Sequence, residues 1–250
     1  MRPRDSHPVP DTLWKYRSWN SYAKKLINGE VYFSTHSELN DPFEFKWRQR
    51  PPRYLGDKLV LIRQLVRHKE PHLEDDSDEQ REAIRRYMLK LSNAPQGEFQ
   101  TARKIEHGVF CACESPSDIR MWSHYSQNHT GLCVGVSPRL MKHNFARVEY
   151  VQRLPTYEMI YLFGPEKGIL NAVATKSIDW QYEKEWRTFS TPGPKEFEKP
   201  VIQKIVCGCA MSQENRDELK EFIVNNEIKA ELLQAEMSEF EFKIEIRPME

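Results

Sequence analysis

The chain has 250 residues, 39% hydrophobic and 11% aromatic, which is enough apolar material for a packed core without disulfide or metal support. Its 37 basic residues balance 37 acidic ones, so overall charge gives no reason to expect nucleic acid or an anionic membrane as partner. No apolar run approaches the ~18 residues of a membrane span. Met1–Pro10 lacks the apolar stretch of a secretion signal, so the expectation is a cytoplasmic protein with five reduced cysteines and no membrane partner.

In chain order, residues 1–11 read as a flexible lead-in and 12–250 as a single α+β domain. Trp14–Arg17 reads as a strand. Asn20–Asn28 has helical spacing at Tyr22, Leu26 and Ile27, with Gly29 as its stop. Val31–Phe33 is a strand, and Asn40-Asp41-Pro42 signals a turn. A charge-rich stretch with helical periodicity, at about 54–106, reads as a helical insertion of two or three helices. Strands follow at Val109–Cys113 and Leu132–Val136, around a helix at Ser117–Ser126. Val148–Val151 and Trp186–Ser190 are further strands, and 158–175 is mixed. Ile202–Cys207 is a strand, Asn215–Asn225 a helix, and Lys229–Gln234 and Phe240–Ile246 are strands. The fold class is α+β: a central, mostly antiparallel sheet, split or continuous, with flanking helices.

Three polar-aromatic motifs concentrate the chemistry. In the first, Tyr32-Phe33-Ser34-Thr35 runs into Leu39-Asn40-Asp41-Pro42-Phe43-Glu44. Hydroxyls at a strand end can hold ribose or amide groups, and they can equally satisfy the local backbone of an Asx turn. In the second, Met121-Trp122-Ser123-His124-Tyr125 precedes Asn128-His129-Thr130-Gly131. A neutral imidazole beside a phenol can act as base, proton shuttle or clamp. The alternative is that Trp122 and Tyr125 anchor the core while His124 and His129 brace a loop.

In the third, Trp180 to Arg187, strand parity puts Glu183, Glu185 and Arg187 on one face. Paired carboxylates there can stabilise an oxocarbenium ion, or form an ion-pair ladder with a cation such as Arg187 or Arg17. The pairs Cys111/Cys113 and Cys207/Cys209 lack the spacing of a zinc knuckle and read as buried hydrophobes, so no metal is expected. No phosphate-binding glycine loop, dinucleotide fingerprint or serine-hydrolase elbow occurs.

These motifs, with Trp14-Lys15-Tyr16-Arg17 and Gly29 to Ser34, resemble over roughly residues 13–190 the bacterial domain-of-unknown-function family 2971. The strand end Cys111-Ala-Cys113-Glu114 departs from that pattern. The order Arg17, Ser34-Thr35, Glu183-Lys184-Glu185 is also similar to ADP-ribosyltransferases of the arginine-serine-glutamate class, with His36 in place of the final serine.

That second resemblance implies an enzyme using NAD as substrate, a bacterial toxin or anti-phage effector modifying a protein or nucleic acid. It implies Glu185 as catalytic carboxylate with Glu183 as partner, and His124 or Tyr125 against the nicotinamide. Arg17 beside Tyr16 would grip phosphate, and Ser34 and Thr35 would hold ribose, with Asn40, Trp122 and His129 completing the cofactor site. Two other readings stay open. One is a metal-dependent nuclease built on Asp41, Glu44, Glu183 and Glu185. The other is a non-enzymatic sensor binding a nucleotide or partner.

Overall fold

The computed structural model describes residues 7–50, 53–93, 99–101, 107–158 and 173–249. Most of the expected lead-in, and most of the mixed segment at 158–175, lie outside them. The architecture is α+β, and the chain forms two compact units. Unit 1 comprises 1–40, 105–149 and 178–250; unit 2 comprises 41–104 and 150–177. The sequence reads as one domain with an insertion at about 54–106; unit 2 takes in that stretch as far as 104, begins earlier, at 41, and adds 150–177.

Unit 1 is built on strands β1 (Leu13–Arg17), β5 (Gly108–Cys113), β6 (Leu132–Val136), β7 (Ala146–Arg147), β11 (Glu185–Ser190), β13 (Ile202–Cys207), β14 (Glu231–Met237) and β15 (Ile244–Pro248). They form an eight-stranded sheet in the order β15-β14-β13-β6-β1-β5-β11-β7. Every neighbouring pair is antiparallel except β13 and β14, which are parallel because helix α6 (Gln213–Asn225) crosses over between them; α5 (Pro138–Met141) is a short helix after β6. Strands β2 (Glu30–Phe33) and β12 (Gly193–Glu196) form a separate pair.

The two sheet faces bury different clusters. Leu13, Val134, Val136, Phe110, Trp186 and Ile205 pack on one, together with helix α1 (Ser21–Ile27). Trp14, Tyr16, Cys133, Val206 and Leu233 pack on the other, under helix α4 (Ile119–Tyr125). Caps place the helices: Asn20 accepts from Tyr22 N and Ala23 N, Asp118 from Arg120 N and Met121 N, and Ser212 from Asn215 N. Gly29 follows α1 at φ 99°, where a side chain would be strained.

The sheet is forked at β5. Strand β1 runs along β6 through all five of its residues but meets β5 at Trp14↔Cys113. At the other end of the same β5 edge, Ser34 bridges to Val109 through two backbone hydrogen bonds of 2.8 and 2.9 Å. The edge therefore changes partner near Cys111, and β1 and β5 part there.

Unit 2 contains α2 (Leu55–Lys69) and α3 (Asp78–Ser92), packed through Leu61, Ile62, Val66 and Ala83. It also holds the sheet β4-β3-β9, of Phe99–Thr101, Lys46–Arg50 and Thr156–Glu158. The pair β8 (Glu149–Val151) and β10 (Thr175–Ser177) completes it, apart from Glu149. The expected turn at Asp41 is present, with Phe43 N donating to Asp41 Oδ1 at 2.8 Å.

Two strand expectations need correction. Phe240–Lys243 is not strand but the turn between β14 and β15, closed by Ser238 N to Lys243 O at 3.1 Å. The alternation of Phe240 and Phe242 imitates a strand although both rings are almost fully exposed. Glu183 belongs to the 3-10 turn Ile178–Glu183 and is not on the strand with Glu185. Lys184, at φ 44°, breaks the alternation between them.

Gly208, just after β13, donates to Gly131 O at 2.9 Å. A Cβ there would sit 2.0 Å from His129 O and 2.8 Å from Gly131 O, both backbone atoms that cannot rotate away. Gly208→Ala is expected to destabilise unit 1 by about 3 kcal/mol, read as a lowered midpoint in chemical denaturation against the wild type.

Candidate functional site

Helix α4 carries the second motif into unit 1, and its residues divide by depth. Trp122 is fully buried, with Nε1 donating to Pro116 O at 2.8 Å. Tyr16 lies edge-on to it at 5.0 Å and donates to Ser115 O at 3.0 Å. Burial pushes the Tyr16 phenol well above its ordinary pKa. Trp122 and Tyr16, expected in the cofactor site, are core anchors here.

Tyr125 instead joins a polar chain. Asn40 Nδ2 donates to Tyr125 Oη at 2.9 Å, and Tyr125 Oη donates to Glu183 Oε1 at 2.6 Å. A carboxylate only 4% exposed is thereby held by a phenol that is itself held by an amide. His124 Nδ1 lies 3.0 Å from Tyr182 Oη, and the Arg120 guanidinium covers the Tyr182 ring at 4.1 Å. Glu183 and Tyr182 line a cavity of about 220 Å³ with Ser115, Ser117, Asp118 and Lys184.

Glu185 has different company. On β11 its two oxygens take Arg187 Nε at 2.8 Å and Nη2 at 3.0 Å, with both side chains buried. The Cys111 thiol, on β5 opposite Arg187, hydrogen-bonds the same carboxylate. Burial first, then the Glu185 charge, pushes that thiol well above its ordinary pKa.

Arg17 and Ser34 meet in a second cavity of about 250 Å³, with Lys25, Tyr32, Glu38 and Phe110. Arg17 Nε is buried without a hydrogen-bond partner, and burial holds the guanidinium below its ordinary basicity. Glu38 accepts from Tyr32 Oη at 2.9 Å and from Thr35 N and Oγ1 at 2.7 and 2.8 Å. Thr35, expected to hold ribose, thus spends its hydroxyl proton on a local cap.

The structure therefore does not bring the expected residues together in one place: Glu185 pairs with Arg187 and His124 with Tyr182. Arg17 and Ser34 line one cavity. Glu183, Tyr125 and Asn40 form one chain of hydrogen bonds. His129 lies apart, against Cys209. By strand register, Arg17 and Lys15 share the face of Leu132 and Val134, whereas Glu185 shares the opposite face with Cys111 and Cys113. The fork between β1 and β5 lies between these two sets. Lys15 there feels Arg17, Cys111 and Glu185 electrostatically, while its ammonium sits 5.4 Å over the Phe110 ring.

Lys15 and Cys209 are residues that sequence reasoning passed over. Lys15 entered only as one member of the motif Trp14-Lys15-Tyr16-Arg17, and Cys209 as half of a buried Cys-x-Cys pair. Of the four carboxylates considered for a metal site, Asp41 and Glu44 belong to unit 2 and Glu183 and Glu185 to unit 1. Glu44 forms a buried ion pair with Lys176 at 3.3 Å within unit 2. Among the described residues, no three His, Cys, Asp or Glu side chains gather as ligands for a metal ion.

Comparison with family models, with curated proteins and with solved structures finds no match.

Two outcomes follow from the charges at the fork. Arg187→Met leaves Glu185 buried without its bidentate partner and is expected to cost about 3–5 kcal/mol, measurable by urea denaturation. Lys15 has its pKa lowered from 10.5 to about 8, first by burial and then by the Arg17 charge. Between those two values the unfolded chain binds more protons than the native one, so stability rises with pH across that window. Lys15→Met is expected to raise stability below pH 8 and flatten that rise, which thermal melts across the window would detect.

Proposed function

We propose that the chain is an ADP-ribosyltransferase-like enzyme taking NAD as substrate, and that it belongs with domain-of-unknown-function family 2971. In this reading it is a toxin or anti-phage effector acting on a protein or nucleic acid. The observation that carries the reading is Arg17: a guanidinium with its Nε buried and unpartnered, lining a cavity beside Ser34. A buried N–H donor left without an acceptor is costly, and a guanidinium matches a diphosphate in shape as well as charge. Glu38 in the same cavity has an acceptor position left for a ribose hydroxyl.

In this reading the reaction would take place at the fork. With the diphosphate on Arg17, the nicotinamide ribose would lie toward the gap where β1 and β5 part, near Lys15 and Glu185. Loss of nicotinamide leaves positive charge on the ribose, and a buried carboxylate stabilises it strongly. Glu185 must loosen its hold on Arg187 to do so, and Glu183, anchored by Tyr125, would orient the acceptor. His129, Trp122, Tyr16 and Thr35 have no part in this version of the site.

One observation favours a second reading. The bidentate grip of Arg187 on Glu185 is what a purely structural pair would show, and it fits a nucleotide-binding sensor that performs no transfer.

Titration calorimetry with NAD, beside incubation with labelled NAD and cell lysate, separates these outcomes. Wild type is expected to bind and consume NAD. Arg17→Ala is expected to weaken binding at least tenfold, since a charge-assisted pair contributes about 1.5–3 kcal/mol. Glu185→Gln is expected to bind but not transfer. Binding without turnover by wild type supports the sensor. No binding and no turnover ends the NAD-using reading.

A further inference from the structure

Cys209 and His129 are brought together by main chain. After β13, Gly208 N donates to Gly131 O at 2.9 Å and Ala210 N to His129 O at 3.1 Å. These two bonds tie the segment before α6 to the turn after α4. The turn itself is unusual: Gln127, Asn128 and His129 are consecutive left-handed residues at φ 52°, 53° and 68°. Such a run costs roughly 1–2 kcal/mol per residue. It is held by His129 N to Trp122 O at 3.2 Å and Gly131 N to Ser126 O at 2.8 Å.

The side chains complete a relay. The His129 ring stacks on Trp122, 14° from parallel. Its Nε2 lies 3.0 Å from Ser123 Oγ, and its Nδ1 lies 3.8 Å from Cys209 Sγ. Ser123 has one hydroxyl proton, which it donates to Ile119 O at 3.0 Å. His129 must then be the donor at Nε2, which leaves the Nδ1 lone pair facing the Cys209 thiol. A nucleophile faces a base, and a third group orients the base.

The pair opens on a cavity of about 600 Å³ lined largely by apolar side chains, among them Ile119, Ala210, Met237, Phe240, Phe242 and Ile244. Phe240 and Phe242, in the β14–β15 turn, are almost fully exposed, so an apolar ligand in this cavity would remove their rings from water.

We propose that Cys209, His129 and Ser123 form an acyl-transfer centre that takes the acyl group of an apolar carboxylic ester or thioester. Cys209 Sγ attacks the acyl carbon while its proton passes to His129 Nδ1. The bond to the leaving alcohol or thiol breaks, and that group carries away the proton from Nδ1. Water then attacks the thioester, giving its proton to His129, and the acid leaves with the thiol restored. Burial keeps His129 below its ordinary pKa, hence neutral and able to accept the proton. Burial also raises the Cys209 thiol, so proton transfer accompanies attack and does not precede it. This centre shares no residue with the Arg17 cavity, and its chemistry stands or falls separately from NAD use.

The full chain is to be incubated with p-nitrophenyl butyrate and, separately, p-nitrophenyl acetate. Nitrophenolate release is followed by absorbance, and peptide mapping by mass spectrometry locates the acyl group. One acyl group on Cys209 is expected, with butyrate faster than acetate, and Cys209→Ala removes it. His129→Gln, checked for folding by circular dichroism, is expected to slow acylation about 100-fold. Ser123→Ala is expected to slow it less, with Ser123→Thr restoring most of the rate. Phe240→Ser with Phe242→Ser is expected to abolish the preference for butyrate. Label spread across the cysteines without preference for Cys209, or a folded His129→Gln that reacts as fast as wild type, overturns the proposal. Should His129→Gln fail to fold, equal rates for acetate and butyrate, or label remaining in Cys209→Ala, overturn it as well.

Discussion

A strand edge offers each of its peptide groups to one partner at a time, and β5 divides its edge between two. Cys113 is taken by β1 and Val109 by Ser34. That division separates β1 from β5 near Cys111, brings the end of β2 against the sheet, and opens the ground on which Arg17, Lys15 and Glu185 stand. A continuous β1–β5 ladder would pair Tyr16 with Cys111 and close the gap. The charged residues of the unit then follow a consistent pattern. Glu185 and Arg187, at the closed β11 edge, neutralise each other, whereas Arg17, at the open edge, keeps an unsatisfied Nε.

The two cavities with chemical promise in unit 1 sit where regular structure stops. One lies beside the strand end at Ser34, the other beyond the end of β13 at Cys209. Strand ends free backbone groups and side chains from the alternation that fixes them inside a sheet, and helix caps and tight turns then re-aim them. Helix α4 connects the second of these regions with the cavity at Glu183. Its Tyr125 reaches Glu183, and its Ser123 reaches His129.

Much of the fold was legible in the sequence because local signals agreed with tertiary demands. Asn20 and Asp118 cap the helices they precede, and the apolar run Leu132–Val136 is buried through its full length, as a central strand should be. The site was less legible. Parity arguments assume an unbroken strand, and a left-handed Lys184 sends Glu183 to Tyr125 and leaves Glu185 to Arg187. No local pattern announces a left-handed lysine, since the conformation is imposed by the neighbours it joins. Arg17 stood out in sequence by its order in a motif, but its missing partner is a fact of packing. Cys209 was masked by Cys207, two residues away and fully buried, because the strand ends between them. The exposed rings of Phe240 and Phe242 show the converse case, an alternation with no sheet face beneath it.

The left-handed run at 127–129 is anchored by peptide groups of α4 and of the segment after β13, with glycine at 131 and 208 where the two chains touch. The position of the backbone at 129 is therefore a property of the main chain and of two residues that lack side chains, while Trp122 and Ser123 orient the ring. The side chains at 129 and 209 carry little of the weight of holding that junction. Substitution at either position is therefore expected to change what this spot can do while the main-chain hydrogen bonds that hold it remain.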